Sequence, residues 1–415
     1  MARSRRSWKP SLILTLLVFA VYGALFTWPR FWPWTISAVM SHSQFYPFHD
    51  MRGHLASCEA YELGMDIMGK PNPLDTERRP HIGPRWMLFA GALGVKAKDY
   101  LAYGISFSVL FLLSIILILR PQQLGDSILA FFLLCSPPCF LAVERANPDL
   151  FVVLSLLSAT ALLSMRSSAA RLAAWGIVAL LIGFKYYPSM AFAIFLSAGV
   201  SASRKRWELG AAAVAVVAFL LAFRSELAEV QSYMHATNVL SWFGSAQLLR
   251  LALLPAKIIP VLSVALLGAG SLAIAWLLGP ASPVEKTGTF NSRCFILGSG
   301  IVAFCFAVTT SVEYKLIFVL PCMPYLLQAL DSTNARRFRM ISGTALLLYV
   351  ILPWTSVLFI QLFMNVALTE EAIELFVALR QCGNWLLTWL LAGLWLRLLY
   401  FQNQDLLPTR LRLPV

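Results

Sequence analysis

Charge is what this chain has least of. Only 13% of its 415 residues are Asp, Glu, Lys or Arg, against 59% apolar. So few charges cannot cover the surface of a water-soluble domain of this size, which excludes a soluble enzyme or binding module. Histidine is scarce, with five in all. The seven cysteines (Cys58, Cys135, Cys139, Cys294, Cys305, Cys322 and Cys382) are scattered, with no Cys-x-x-Cys pair. That pattern excludes a disulfide framework and a thiolate metal site, and the cysteines read as small packing residues. No Asp/His ligand set calls for a metal or any other cofactor. Internal repeats and low-complexity tracts are lacking too, which disfavours inverted-repeat transporters. A cleaved secretory signal is not expected. The start is basic and then apolar, but no small-x-small site follows.

What is present is apolar runs long enough to cross a hydrocarbon core of ~30 Å. Backbone groups in lipid must bond internally, so these runs are helices. The chain reads as an all-α polytopic membrane protein, a single membrane domain over 1–415. Twelve spans are expected, at 11–28, 100–119, 124–142, 149–164, 171–184, 187–201, 207–223, 257–279, 294–311, 316–330, 340–362 and 384–400. Placing Arg3, Arg5, Arg6 and Lys9 on the cytoplasmic side orients the whole. The clusters Arg166/Arg171, Arg204 to Arg206, Arg336 to Arg339 and Arg397/Arg410/Arg412 then all lie inside. The formal excess of +13 falls on that face, and the opposite face is neutral. The basic charge therefore orients the chain against a lipid bilayer, and nucleic acid is not an expected partner. The stretch 84–95 is apolar but half a span long, and reads as interfacial or re-entrant.

The face opposite the N-terminus collects the polar chemistry. Its first loop, 29–99, opens with aromatic belt residues and runs through His49 and Asp50 into a helical pattern that Gly64 can end. That helix looks amphipathic and interfacial. Asp50 is either an N-cap or a general base at the membrane surface. His49 and His54 are a second base, phosphate donors, or polar ring residues. Glu144, Arg145, Asn147 and Asp149 surround Pro148 in a short turn, where Asn147 and Asp149 suit capping and the charged pair suits either water or a site. Lys185, Tyr186 and Tyr187 precede Pro188 in another turn. There the lysine either snorkels or holds a lipid-linked phosphate. Glu313 and Lys315 flank Tyr314 in a third turn, as a solvated pair.

The basic N-terminus, the early Asp50, the turn from Glu144 to Asn147 and the turn from Lys185 to Pro188 together resemble the GT-C superfamily of membrane glycosyltransferases. More narrowly they resemble glycosyltransferase family 87, the polyprenyl-phosphate-mannose-dependent mannosyltransferases. The resemblance covers most of residues 1–200. It departs at His54, where such enzymes carry Tyr, at the run from Gly64 to Ile67, and at the run from Gly83 to Arg85. It implies a polyprenyl-phosphate sugar donor, a glycan or glycolipid acceptor, a bacterial plasma membrane and an extracytoplasmic site. It also implies Asp50 as general base, with the other residues of these turns contacting substrate. A transporter or flippase of lipid-linked saccharides is the rival reading.

Overall fold

A computed structural model describes residues 9–27, 47–81, 83–121, 123–165, 167–197, 200–226, 242–251, 257–278, 288–308, 311–331, 336–365 and 369–406. The aromatic belt at 28–46 and the outer loop 227–241 lie outside these residues. The chain is helical, as composition demands. Among the described residues, six helices are long and apolar enough to cross a membrane, or seven if one bent pair counts as a single span.

Two compact units emerge from the contacts. The first comprises Met1–His81, Leu88–Leu154 and Pro353–Met364. Its helices are α1 (Lys9–Thr27), α2 (His49–Glu62), α3 (Tyr100–Leu119), α4 (Leu124–Leu134), α5 (Pro137–Glu144) and the start of α6 (Asp149–Ser164). Helix α1 packs on α4, where the Tyr22 hydroxyl donates to the Leu134 carbonyl at 2.8 Å. Only 17% of its apolar window is buried, so most of it is left for lipid. The expected single span 124–142 is bent by 55° between α4 and α5. Pro137 and Pro138 sit in the first turn of α5, where a ring replaces the amide that would continue α4.

The first loop is a packed structure rather than a helix lying alone at an interface. Helix α2 buries Met51, Leu55, Ala56, Cys58 and Ala60. All of these but Ala56 join Phe48, Ile67, Leu88, Val95 and Ala146 in one core. Gly64, at φ 73°, stops the helix in the left-handed region, where glycine carries no Cβ penalty. The segment after it closes on itself through His81 N–H to the Ile67 carbonyl, 3.0 Å. The apolar stretch at 84–95 forms a nine-residue 3-10 helix, Arg85–Leu93, which at about 2 Å per residue is too short to cross.

The second unit comprises Ile82–Met87, Ser155–Leu352 and Asn365–Val415. It holds most of α6, then α7 (Ser168–Phe184), α8 (Ala202–Ala222), α9 (Ala246–Leu251), α10 (Ile259–Leu277), α11 (Phe290–Val308), α12 (Met323–Leu330), α13 (Arg336–Asn365, shared with the first unit) and α14 (Glu370–Gln402). Helix α11 is its hub, 72% buried over its apolar window. It packs on α14 and on two 3-10 helices, Tyr187–Leu196 and Glu313–Cys322. The 3-10 segments replace parts of the expected spans 187–201 and 316–330, and each contains a proline that interrupts regular helix bonding. Strands Trp242–Phe243 and Ser311–Val312 pair antiparallel.

Phe48 is the N-cap of α2 and sits at φ 63°, a conformation that costs a non-glycine residue about 1 kcal/mol or more. Its ring is held against Gly104 of α3, where an added Cβ would stand 2.4 Å from the ring. A Gly104→Ala variant should therefore lose about 1–3 kcal/mol. Thermal denaturation of the detergent-solubilised protein reads this directly, and an unchanged melt would contradict the packing.

Candidate functional site

Helix α5 ends in a Schellman motif. The Asn147 N–H reaches the Ala142 carbonyl at 2.9 Å and the Ala146 N–H reaches Val143 at 3.0 Å, with Ala146 at φ 43°. This leaves the last carbonyls, of Glu144 and Arg145, facing outward. They accept the first amides of α2: Phe48 N–H to Glu144 at 2.7 Å, and Asp50 and Met51 N–H to Arg145 at 3.1 and 3.2 Å. The positive end of one helix meets the negative end of another, each satisfying the other's orphan groups.

That junction places Asp50 beside the turn from Glu144 to Asp149. Asp50 does not cap its helix, a place taken by Phe48. Its Oδ2 accepts from Asn147 Nδ2 at 2.7 Å. Its Oδ1 lies 3.5 Å from Arg145 Nη1 and 3.6 Å from Arg79 Nη1. Asn147 can point only one way, because its Oδ1 accepts the Asp149 N–H at 3.0 Å. The carboxylate side chain keeps 16% of its surface exposed, so one edge remains open to a reacting hydroxyl.

Arg79 is the residue that reading the sequence missed. Its Nε and Nη2 fork onto Asp75 at 2.7 and 3.2 Å, and Nη2 also donates to the His49 carbonyl at 3.0 Å. The guanidinium lies on the bare backbone of Gly53, where a Cβ would meet Nη2 at 2.2 Å. Burial pushes the Asp75 carboxyl up, but the Arg79 hydrogen bond and charge outweigh it and hold the group below its ordinary range. His49 is pushed down from 6.5, first by burial and then by the Arg79 charge. Its Nε2 lies 3.0 Å from Glu77 Oε2. With the imidazole neutral at pH 7, this contact is an N–H donated to a carboxylate rather than an ion pair.

The other anticipated residues distribute as follows. His54, one turn after Asp50, has its Nε2 3.8 Å from Cys58 Sγ. Burial pushes that thiol up to about 12, so it acts as a packing group. Glu144 contributes its carbonyl to the junction. In the second unit, the Lys315 ammonium lies 4.0 Å from the centroid of the Tyr187 ring, a cation–π contact, and both residues are buried. Lys185 closes α7 in extended conformation and Tyr186 begins the 3-10 helix that follows. Glu313 opens the other 3-10 helix. The structure thus forms two groups, one around Asp50 in the first unit and one around Tyr187 and Lys315 in the second. Among the described residues no set of three His, Cys, Asp or Glu side chains could hold a metal ion.

No protein-family profile, curated protein or solved structure matches the chain.

Replacing Asn147 by Ala removes a charged hydrogen bond to a largely buried carboxylate and should cost about 1.5–3 kcal/mol of stability. Acid should destabilise the loop in two stages. A folded-state pKa below the unfolded one stabilises only above the unfolded value and is lost as pH falls through the folded one. The His49 contribution should therefore fade below about pH 6.5, and that of Asp75 below about pH 4. Chemical denaturation between neutral and acid pH should show the lower stage vanish in Asp75→Asn. A variant retaining that stage would contradict the role given to Asp75.

Proposed function

We propose that the chain is a GT-C-type membrane glycosyltransferase resembling family 87. It moves a sugar, mannose by that resemblance, from a polyprenyl monophosphate to an acceptor hydroxyl of a glycan or glycolipid. The proposal places the reaction on the extracytoplasmic face of a bacterial plasma membrane.

One observation carries this reading. Asp50 and Asn147 belong to separate elements of the resemblance, far apart in sequence, and their side chains meet at 2.7 Å. Asp50 takes the proton of the acceptor hydroxyl. That oxygen forms the new bond to the anomeric carbon as the bond to phosphate oxygen breaks, with inversion, and the electron pair leaves on the polyprenyl phosphate. Asn147 fixes the carboxylate's rotation, and Arg145 and Arg79 fix its second oxygen. Lys185 keeps the assignment of contacting the departing phosphate as an independent part of the proposal, tested by its own substitution to Gln.

Transport is the weaker reading for a stated reason. An ion-coupled carrier keeps ionisable groups at membrane depth. In the six long apolar spans among the described residues, the acids lie at helix starts: Asp99 just before α3, and Glu371 and Glu374 among the first five residues of α14, whose deeper ionisable groups, Arg380 and Arg397, are cationic.

The test is transfer from radiolabelled polyprenyl-phosphate mannose by the purified protein. Asp50→Asn should lower the rate by about 100-fold or more while a cooperative melt shows the fold retained. Asp50→Glu, which keeps the base, should recover part of the rate. Full activity in Asp50→Asn would sink the assignment, and no transfer by the wild type would sink the donor.

A further inference from the structure

A cavity of about 820 Å³ lies in the second unit, where the end of α6 meets the starts of α7, α8 and α11. Its volume falls in the range of small-molecule sites, roughly 300–1,000 Å³, larger than a bare ion requires. The charge placement that orients the chain puts all four of these helix ends on the side of its basic clusters.

Three arginines line it: Arg171, Arg204 and Arg293. One carboxylate serves the first two. Glu208 Oε1 accepts from Arg171 Nε at 2.6 Å and from Arg204 Nε at 3.2 Å, and Arg171 Nη2 reaches Oε2. Arg293 is different. Its Nε donates to Ser197 Oγ at 3.0 Å, and its Nη1 donates to the Leu163 carbonyl and Ser164 Oγ, both at 3.1 Å. All of these acceptors are neutral, and among the described residues no carboxylate pairs with it. A half-buried guanidinium held by neutral groups has lost hydration without gaining a counter-charge. Neutral acceptors also fix its direction, so the cation is aimed rather than mobile.

The surroundings add to the same sign. Helices α7, α8 and α11 present their N-termini here, and the lining includes Ser168 and Ser201 beside those ends. Helix N-termini carry partial positive charge, here with one amide each already accepted by Ser167, Ser201 and Thr289. Among the described residues, three guanidiniums, one carboxylate, three helix starts and hydroxyls make a cavity whose charge favours an anion. Planar guanidiniums match the oxygens of a phosphoryl group, and the spare volume accommodates what the phosphoryl group is attached to.

We infer that this cavity is a binding site for a phosphoryl anion, a phosphate ester or diphosphate group, held chiefly by Arg293 with Arg204 at the rim. The anion can be carried by a soluble molecule or by a lipid headgroup, and both present the same oxygens to the same arginines.

The experiment uses the full chain in nanodiscs. Inorganic pyrophosphate is titrated calorimetrically against protein in zwitterionic discs, and retention of phosphatidate is measured by native mass spectrometry after exchange from discs containing it. Saturable pyrophosphate binding, weakened about tenfold or more in Arg293→Gln, supports the site with a soluble ligand. Phosphatidate retention lost in the same variant, without pyrophosphate binding, supports it with a lipid headgroup. Arg204 is more exposed, with 46% of its side chain accessible, so Arg204→Gln should fold and should weaken binding several-fold even where Arg293→Gln does not express. Wild-type protein that binds neither probe, or binding equal in wild type and variants, overturns the inference. Transfer activity plays no part in these readouts, so their outcome is separate from that of the Asp50 proposal.

Discussion

Everything around Asp50 depends on one end-to-end contact between helices. Three amides at the start of α2 have no partners within their own helix, and two carbonyls at the end of α5 have none within theirs. Joining them satisfies both sets in a place where water has limited access, and it fixes α2 to the membrane-side turn that ends at Asn147. An acid near the positive end of α2 and an arginine at the negative end of α5 then fall side by side, each on the end that its charge favours. The ion pair is a consequence of the backbone contact. Side chains alone, at 3.5 and 3.6 Å with partial exposure, would supply too little to hold two segments together against the entropy of the loop between them.

That dependence explains the odd residue at the cap. A serine or aspartate at position 48 would offer its own oxygen to the first amides and compete with the α5 carbonyls. Phenylalanine offers none. It accepts a left-handed backbone, and its ring buries against Gly104 and the core formed by Met51, Leu55 and Ala146. The helix start is thereby left open to a partner from elsewhere in the chain. Ala146 shows the same logic on the other side. It tolerates φ 43° because its methyl is buried in the same core while its amide closes α5.

This also accounts for what could be read from the chain in advance. The membrane class was plain, because charge content and apolar run length are composition, and composition needs no contacts. The helix ending at Gly64 was plain for a local reason: a glycine after an apolar-polar pattern has a mechanism within a few residues. Asn147 likewise acts on a backbone group two residues away, the Asp149 N–H. Asp50 was legible as a residue of interest, but its capping alternative failed because the helix begins two residues earlier, with Phe48 as its cap, so Asp50 already lies inside the first turn and the Arg52 amide is taken by the Phe48 carbonyl. Arg79 was invisible. It sits in a stretch that reads as a Pro- and charge-rich loop, and its importance lies in Gly53, His49 and Asp75, which no periodicity connects. Helix regularity within the apolar runs was hidden in the same way. An apolar run carries its length in sequence, yet prolines at 137, 138, 188 and 321 convert some runs into bent or 3-10 segments whose rise per residue differs.

The two polar regions differ in sign, and the difference bears on chemistry. Around Asp50, the acids Asp50, Asp75 and Glu77 face Arg79 and Arg145, with a neutral imidazole between them. In that set the carboxylates outnumber the guanidiniums that hold them in place. Around Arg293 the ratio is reversed, and among the described residues the carboxylate nearby, Glu208, is already shared by Arg171 and Arg204. A set of that kind has no proton acceptor to spare and holds charge instead. If a single chain were merely decorating its surface, both faces would show exposed pairs of long side chains. Here the acid-rich set is locked by backbone carbonyls and amides, and the cation-rich set by serines and a helix-end carbonyl. Each holds its excess charge in a fixed direction, which is the property that separates a site from a solvated surface.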